Sequence, residues 1–354
     1  MQQQIILVGS NSVHTQRYLR GISTIFKQII FITNHLDNTT LPDNVKVHLV
    51  NFKLANIKAR FQIAKIIQYY PNIIVHIHQA NSYAYHTLKA IKSAKLPCKT
   101  ILTTWGSDVL ILPEKNLLLR YMVKFNLANS DIVTSDSLYM SAKIKELCPT
   151  VKVLHTINFG MQHFPQTVDL THKENIILSN RLHKPLYNID KIIQAYAKLI
   201  KEDQYNHFKL VIAAKGIETD NLKALINNLG LSLQQVKITG MLSYEELINY
   251  YKQAKIFVSV PDSDACSLSV LEAMGYGCYP ILSNLPANLE WVIDNFNGTI
   301  NQNQAQLALD LEQAIKHTSD INKYTNIAKF NHSLIQNKGV FEDNMQKFVA
   351  LYAD

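Results

Sequence analysis

The stretch 256–275 constrains the fold more than any other part of the chain. It begins with Ile256-Phe257-Val258-Ser259-Val260, a β-branched and aromatic run that reads as a buried strand. Pro261 ends it. Ser267, Leu268, Val270, Leu271 and Met274 then recur at helical spacing, so a helix opens near Ser267 behind a polar loop. A loop so placed lies at the carboxyl end of a strand and at the positive end of a helix. In an open α/β sheet, that is where phosphate-bearing ligands bind. Two carboxylates bracket the helix start, Asp264 in the loop and Glu272 about two turns along the helix. By spacing alone, an acidic helix cap and an exposed glutamate would look the same.

The alternation extends over the whole chain. Strands are expected at 5–9, 28–33, 45–51, 73–78, 100–104 and 132–135, with helices at 15–25, 57–69, 83–94 and 116–128, and 152–158 ends this first half. A second set follows, with strands at 175–179, 208–213, 236–239, 256–260 and 279–282. Its helices are expected at 188–200, 221–229, 244–252, 267–275, 289–292 and 304–317, and a last helix at 341–352. Strands alternating with helices of this length predict a doubly wound parallel α/β sheet, here in two copies. A length of 354 residues suits two ordinary domains. The segment 159–165 reads as the linker between them.

The net charge of +8 permits nucleic acid, an anionic surface or a phosphorylated ligand as partner. The lysines are scattered, with no run of five or more, which argues against nucleic acid. Cys98, Cys148, Cys266 and Cys278 show neither CxxC nor zinc spacing, so reduced thiols in a cytoplasmic protein are expected. The first residues lack the charged region and apolar stretch of a signal peptide and read as a first strand. No apolar run reaches the ~18–20 residues of a transmembrane helix, so any membrane contact is expected to be peripheral, on an anionic inner face. No phosphate-loop, nucleophile-elbow or zincin motif occurs, which leaves kinase, α/β-hydrolase and zincin readings without support.

Several short strings remain as candidate chemistry. Arg181 follows a strand in Ser179-Asn180-Arg181-Leu182-His183-Lys184, and Lys215 follows another in Ala213-Ala214-Lys215-Gly216. Cations so placed suit a phosphate-bearing ligand, although a solvated or salt-bridged arginine is the more ordinary reading of one alone. Trp105, Ser107 and Asp108 lie in the loop after the strand at 100–104; an aromatic face suits a sugar ring, while Asp108 would equally cap a helix. Gly9, Asn11 and His14 lie in or near the loop after the first strand. His76 and His78 share one face of a strand, where buried histidines are mostly structural. Asp262-Ser263-Asp264 has the spacing of a metal-holding Asp-x-Asp pair.

The string from Asp264 to Met274, continued by Gly277, Pro280, Ile281, Ser283, Pro286 and Glu290, resembles the acidic-x7-Glu element of the retaining GT-B glycosyltransferases of family 4. The likeness continues through 285–291 and Asn297-Gly298, and Ala265 stands where the family usually has glycine. Arg181 matches the arginine of the family's Gly-Arg-Leu-x-x-x-Lys-Gly, whereas Leu186 holds the lysine position, leaving Lys184 or Lys215 as the second cation. The loop Thr103-Thr104-Trp105-Gly106-Ser107-Asp108 resembles the family's His-Gly-Ser-Asp loop with Trp105 in place of histidine, and Ser12-Val13-His14-Thr15 is similar to its Ser-x-His-Thr start.

The resemblance implies two facing Rossmann-like domains with a ligand cleft between them: an acceptor domain over 1–165, a donor domain over 166–330, and 331–354 returning to the first. It implies retaining, metal-independent transfer of a sugar from a nucleoside diphosphate sugar to a glycan or lipid-linked acceptor, with no cofactor. The expected setting is cell-surface polysaccharide synthesis, either lipopolysaccharide O-antigen or capsule. Asp264, Glu272 and Arg181 would be catalytic, and Arg181, Lys184, Lys215, Ser267, Leu268, Ser269 and Glu272 would hold the donor. Gly9, Asn11, His14, Trp105, Ser107 and Asp108 would meet the acceptor. The metal-free fold displaces the Asp-x-Asp reading. A catalytically silent relative acting as a partner protein, and a sugar-nucleotide epimerase of the same fold, remain as alternatives.

Overall fold

The computed structural model describes residues 2–37 and 40–353. Two compact units account for it, one of residues 1–158 with 342–354, the other of residues 159–341.

The first unit carries β1 (Gln2–Val8), α1 (Val13–Ser23), β2 (Phe26–Thr33), β3 (Val45–Leu49), α2 (Lys58–Gln68), β4 (Ile74–His78), α3 (Ser82–Ala94) and β5 (Lys99–Thr103). Then come α4 (Ser107–Leu110), α5 (Leu112–Lys115), α6 (Leu117–Ala128), β6 (Ile132–Ser135), α7 (Leu138–Leu147) and β7 (Val153–Thr156). Its seven strands are ordered β3-β2-β1-β4-β5-β6-β7, every pair parallel. Helices cover both faces, so strand side chains are buried on both sides; Ile5, Ile6, Leu7 and Val8 are all inaccessible.

The second unit carries β8 (Glu174–Ser179), α8 (Ile189–Leu199), β9 (Lys209–Ile212), α9 (Thr219–Asn228), β10 (Val236–Ile238), α10 (Tyr244–Gln253) and β11 (Ala254–Ser259). It continues with α11 (Leu268–Gly275), β12 (Tyr279–Ser283), β13 (Thr299–Asn301), α12 (Leu307–Ser319) and α13 (Ile321–Lys338). The strand order is β10-β9-β8-β11-β12-β13, again wholly parallel. Each sheet reverses its winding once, between β1 and β4 in the first and between β8 and β11 in the second. In open α/β sheets such reversal points open a crevice at the strands' carboxyl ends.

Several elements differ from the expectation. Helices α4, α5, α7 and α13 and strand β13 were not anticipated, and the helix expected at 289–292 is only a 3-10 turn at Asn288–Glu290. The segment 159–165 is not a free linker. Met161 is fully buried, its amide donates to the Gly339 carbonyl, and Tyr276 Oη donates to the His163 carbonyl at 2.7 Å. The chain passes between units at 158/159 and 341/342, where the sequence had suggested 165/166 and 330/331.

The last helix, α14 (Phe341–Ala350), lies in the first unit from Glu342 onward. Phe348 packs edge-on against Tyr18, and Tyr352 Oη lies 2.8 Å from His76 Nδ1. His76 Nε2 meets Thr103 Oγ1 at 2.7 Å. Burial lowers the His76 pKa to about 3, which keeps the ring neutral, and it serves as a core hydrogen-bonding group.

Candidate active site

The second unit brings its two key loops together at the reversal between β8 and β11. Arg181 emerges two residues after β8. Its guanidinium meets Asp264 Oδ2 through Nη2 at 2.8 Å, and Nη1 donates to the Ser267 hydroxyl. The same group lies 4.5 Å over the ring of Tyr187, and only 9% of the residue is exposed. A cation fixed in this way is not a loosely solvated surface arginine.

Ser267 occupies the N-cap of α11 in extended conformation, yet its side chain caps no helix amide. Its hydroxyl is spent on Arg181 instead, so the opening turn of α11 keeps N–H groups that no side chain at the cap satisfies. Donors from the guanidinium and from the helix start therefore lie at one place, beside the Asp264 carboxylate.

The Asp262/Asp264 pair does not converge. Asp262 Oδ1 accepts from Asn188 Nδ2 at 2.7 Å and from Gln304 Nε2 at 3.3 Å, while Asp264 turns to Arg181. Asn188, held in left-handed conformation before α8, also donates to the Val260 carbonyl at 3.0 Å. Asp262 thus ties α8 to the loop after β11. Among the described residues no cluster of three or more His, Cys, Asp or Glu could hold a metal ion.

Glu272 lies on the buried side of α11, 5% exposed. Its Oε1 accepts from Tyr244 Oη at 2.9 Å and its Oε2 from Tyr251 Oη at 3.0 Å. Both tyrosines come from α10, two turns apart and on one face. That helix starts with a reciprocal capping box, in which Ser243 Oγ accepts from the Glu246 amide and Glu246 Oε2 accepts from the Ser243 amide at 2.8 Å. Asn180 Nδ2 donates to Tyr251 Oη at 2.7 Å, which joins the Glu272 group to the residue beside Arg181. The structure thus links Arg181, Asp264, Ser267 and Glu272 through Asn180 and Tyr251, with Leu268 and Ser269 opening α11.

Lys184 and Lys215 stand apart from it. Both are exposed, and neither ammonium has a partner among the described residues. Their loops are zipped together: the His183 amide donates to the Lys215 carbonyl, and a Cβ at Gly216 would come within 2.4 Å of the His183 carbonyl oxygen. Only glycine permits that approach. His183 Nδ1 lies 2.8 Å from Thr219 Oγ1 and ties the same two loops.

The first unit gathers its candidates at the carboxyl ends of β1, β4 and β5. Asn11 donates to the Asp37 carboxylate and accepts from Gln16 Nε2 at 3.0 Å. His14 and His78 each pack edge-on against Trp105 at 5.4 Å between ring centroids, and a Cβ at Gly9 would meet His78 Cβ at 3.1 Å. Ser107 is exposed at the start of α4. Asp108 is buried, and its carboxylate accepts from the Ala80 amide at 2.6 Å and the Trp105 amide at 2.9 Å. Burial raises its pKa while these N–H donors oppose the rise. Asp108 therefore holds the 104–108 loop against the end of β4, whereas the N-cap of α4 is Gly106 and carries no side-chain cap bond.

Tyr244, Tyr251 and Asn180 are members of the site that the sequence reading missed. Their only sequence signal is the seven-residue spacing of two tyrosines on α10, which reads as ordinary core.

Comparison with known proteins gives likenesses of family and of fold. Residues 162–332 match the family model described as glycosyl transferases group 1, and residues 4–137 match glycosyl transferase 4-like. Alpha-monoglucosyldiacylglycerol synthase of Streptococcus pneumoniae (strain ATCC BAA-255 / R6) is 28% identical over 173 residues, 46% of this chain and 38% of that protein. Serotype-specific mannosyltransferase WbdA of Escherichia coli is 32% identical over 130 residues, 35% of this chain and 16% of that protein. The matches therefore span well under half the length of these relatives.

Among solved structures, Anabaena Alr3699/HepE in complex with UDP superposes with a TM-score of 0.79 at 13% identity, covering 99% of each chain. A glycosyltransferase from Rickettsia africae ESF-5 gives 0.79 at 18% identity, covering 99% of this chain and 98% of that one. These likenesses are of fold.

Proposed function

We propose that this chain, which belongs to the group 1 glycosyltransferases of the GT-B fold, transfers a sugar from a nucleoside diphosphate donor to a glycan or lipid-linked acceptor with retention and without a metal. The observation that carries the reading is Arg181, fixed at the β8/β11 reversal beside the opening turn of α11. In the transfer, the bond between the anomeric carbon and the diphosphate oxygen breaks and the acceptor oxygen bonds to that carbon. The acceptor proton passes to the departing diphosphate on the same face. Positive charge develops on the sugar and negative charge on the leaving group. Arg181 and the α11 amides meet that negative charge, and a preorganised donor set of this kind stabilises the transition state more than the ground state. Glu272, oriented by two phenols, holds hydroxyls of the donor.

Lys184 and Lys215, exposed on two loops joined to each other, are the candidates for a second cation, and Trp105 with His14 offers ring faces to an acceptor sugar. Cell-surface polysaccharide synthesis is the biological setting that the relatives suggest, one being named a serotype-specific mannosyltransferase. The test is incubation of the protein in EDTA with UDP- and GDP-sugars and candidate lipid-linked glycans, followed by proton NMR of the product at early times. Retention predicts the donor's own anomeric configuration. Inversion, or activity only after Mn²⁺ is restored, would overturn the mechanism; conversion of the donor sugar without acceptor would favour an epimerase.

A peripheral contact with an anionic bilayer belongs to the same reading. Among the described residues no helix is long and apolar enough to cross a membrane. On α6, however, Leu117, Leu118 and Tyr121 are 84%, 70% and 57% exposed. Lys115, Arg120 and Lys124 accompany them in the same segment, where the one acidic residue, Glu114, is paired with Arg120 at 3.2 Å. Exposed apolar side chains among basic ones suit the interface of an anionic membrane. Replacing Leu117 and Leu118 together by serine is expected to weaken sedimentation with phosphatidylglycerol vesicles by about tenfold or more, since a leucine side chain is worth about 1.5–3 kcal/mol on full burial. Equal sedimentation of variant and wild type would remove α6 from the contact.

A further inference from the structure

One buried phenol joins the residue beside Arg181 to Glu272 on α11. Tyr251 Oη has a single proton, and it is donated to Glu272 Oε2 at 3.0 Å. The same oxygen accepts from Asn180 Nδ2 at 2.7 Å. Asn180 precedes the diphosphate candidate Arg181, and Glu272 lies on α11. The phenol thus donates to one of these partners and accepts from the other. The ring has no accessible surface, which holds the two partners in one arrangement.

Tyr244 completes the support from the outer side. It is partly exposed, donates to Glu272 Oε1 at 2.9 Å, and its ring lies 5.2 Å from that of His163. The capping box at Ser243 and Glu246 fixes the turn from which it projects. One carboxylate is therefore gripped by a phenol on each oxygen, and both phenols are anchored to a single helix. Grouped in this way, the side chains act as a unit rather than as independent contacts.

We propose that Tyr251 and Tyr244 are positioning residues for the donor, acting through Glu272: they fix the plane and rotamer of its carboxylate and set it relative to Arg181 through Asn180. The inference rests on the donor-site reading given above. It assigns the pair of tyrosines on α10 a role in nucleotide binding rather than in the core alone.

A double-mutant cycle tests it. The Kd of UDP and of GDP is measured by calorimetry for wild type, Tyr251→Phe, Glu272→Gln and the double variant, and the cycle is run with whichever nucleotide wild type binds more tightly. Phenylalanine keeps the ring and removes only the hydroxyl. Tyr251→Phe is expected to weaken the nucleotide about tenfold in the wild-type background and less than twofold in the Glu272→Gln background, because interacting groups are not additive. A merely structural tyrosine would give the same factor in both. Tyr244→Phe, at a partly exposed site, provides the second cycle if Tyr251→Phe fails to fold, with the same non-additivity expected. If Glu272→Gln weakens binding but both tyrosine variants are silent or fully additive, the inference falls and the donor site stands. If neither nucleotide binds, or Glu272→Gln binds as wild type does, the donor-site reading fails and takes the inference with it.

Discussion

Glu272→Ala is expected to lose about 10²–10³-fold in the rate of sugar transfer while remaining folded. The side chain is buried on α11 and engaged on both oxygens, so it is held in one place before a donor arrives. Holding donor hydroxyls where the anomeric carbon must react is a contribution realised mostly in the transition state, and its loss falls on kcat as well as on donor KM. A stability cost accompanies it. Tyr251 Oη loses its acceptor in a dry environment, and a buried donor left unsatisfied costs about 1–3 kcal/mol. In a unit of this size each kcal/mol lowers the melting temperature by about 2–4 °C. Melting curves recorded beside the rates separate the two effects. A folded Glu272→Ala protein that turns over like wild type would remove Glu272 from the site.

Arg181→Ala is expected to be at least as damaging, and to act first on nucleotide binding. The guanidinium is nearly buried and contacts Asp264 and Ser267 through its two terminal nitrogens. Without it the Asp264 carboxylate stays beside the opening of α11, where a diphosphate is to bind, and like charges close together repel. Loss of one preorganised charge donor at a developing anion typically costs about 2.7–4 kcal/mol, or about 10²–10³-fold. Arg181→Lys should recover little, because an ammonium cannot reproduce the planar fork that reaches two partners at once. Calorimetric titration with UDP and GDP checks the binding, and product release checks the rate. Arg181→Lys at wild-type affinity would mean that only net charge matters there, not the fork geometry.

The parts of the molecule legible in the sequence are those written into local strings. Buried strands such as β11 and β4 are short β-branched runs bounded by Pro or polar residues, and the structure places them within a residue or two of expectation. Helix α13 was not legible. Its buried face is Tyr324, Ile327, Ala328, Asn331, His332 and Ile335, and two polar residues in that stripe blur the apolar period. Asn331 is buried because its side chain exchanges hydrogen bonds with Asn297, a partner that sequence reading cannot supply. Strand β13 has three residues, too few to show any alternation.

The site divides in the same way. Arg181, Asp264 and Ser267 lie at a strand end or a helix start, positions where the local pattern itself points to ligand chemistry, and Glu272 is marked by its spacing from Asp264. Tyr251 carries no such mark, and Asn180, although it follows β8 directly, gains its meaning only from the contact between that loop and α10. Asp108 could be read either way from sequence. In the structure its carboxylate accepts from the amides of Ala80 and Trp105.

The most direct test of the account is titration of UDP and GDP, in EDTA, into wild type and Arg181→Ala. The account predicts that one nucleotide binds wild type without any divalent metal. It predicts that the Arg181→Ala protein, melting within a few degrees of wild type, binds that nucleotide about a hundredfold more weakly or not at all. Binding that appears only with Mn²⁺, or that is equal in the two proteins, would contradict it.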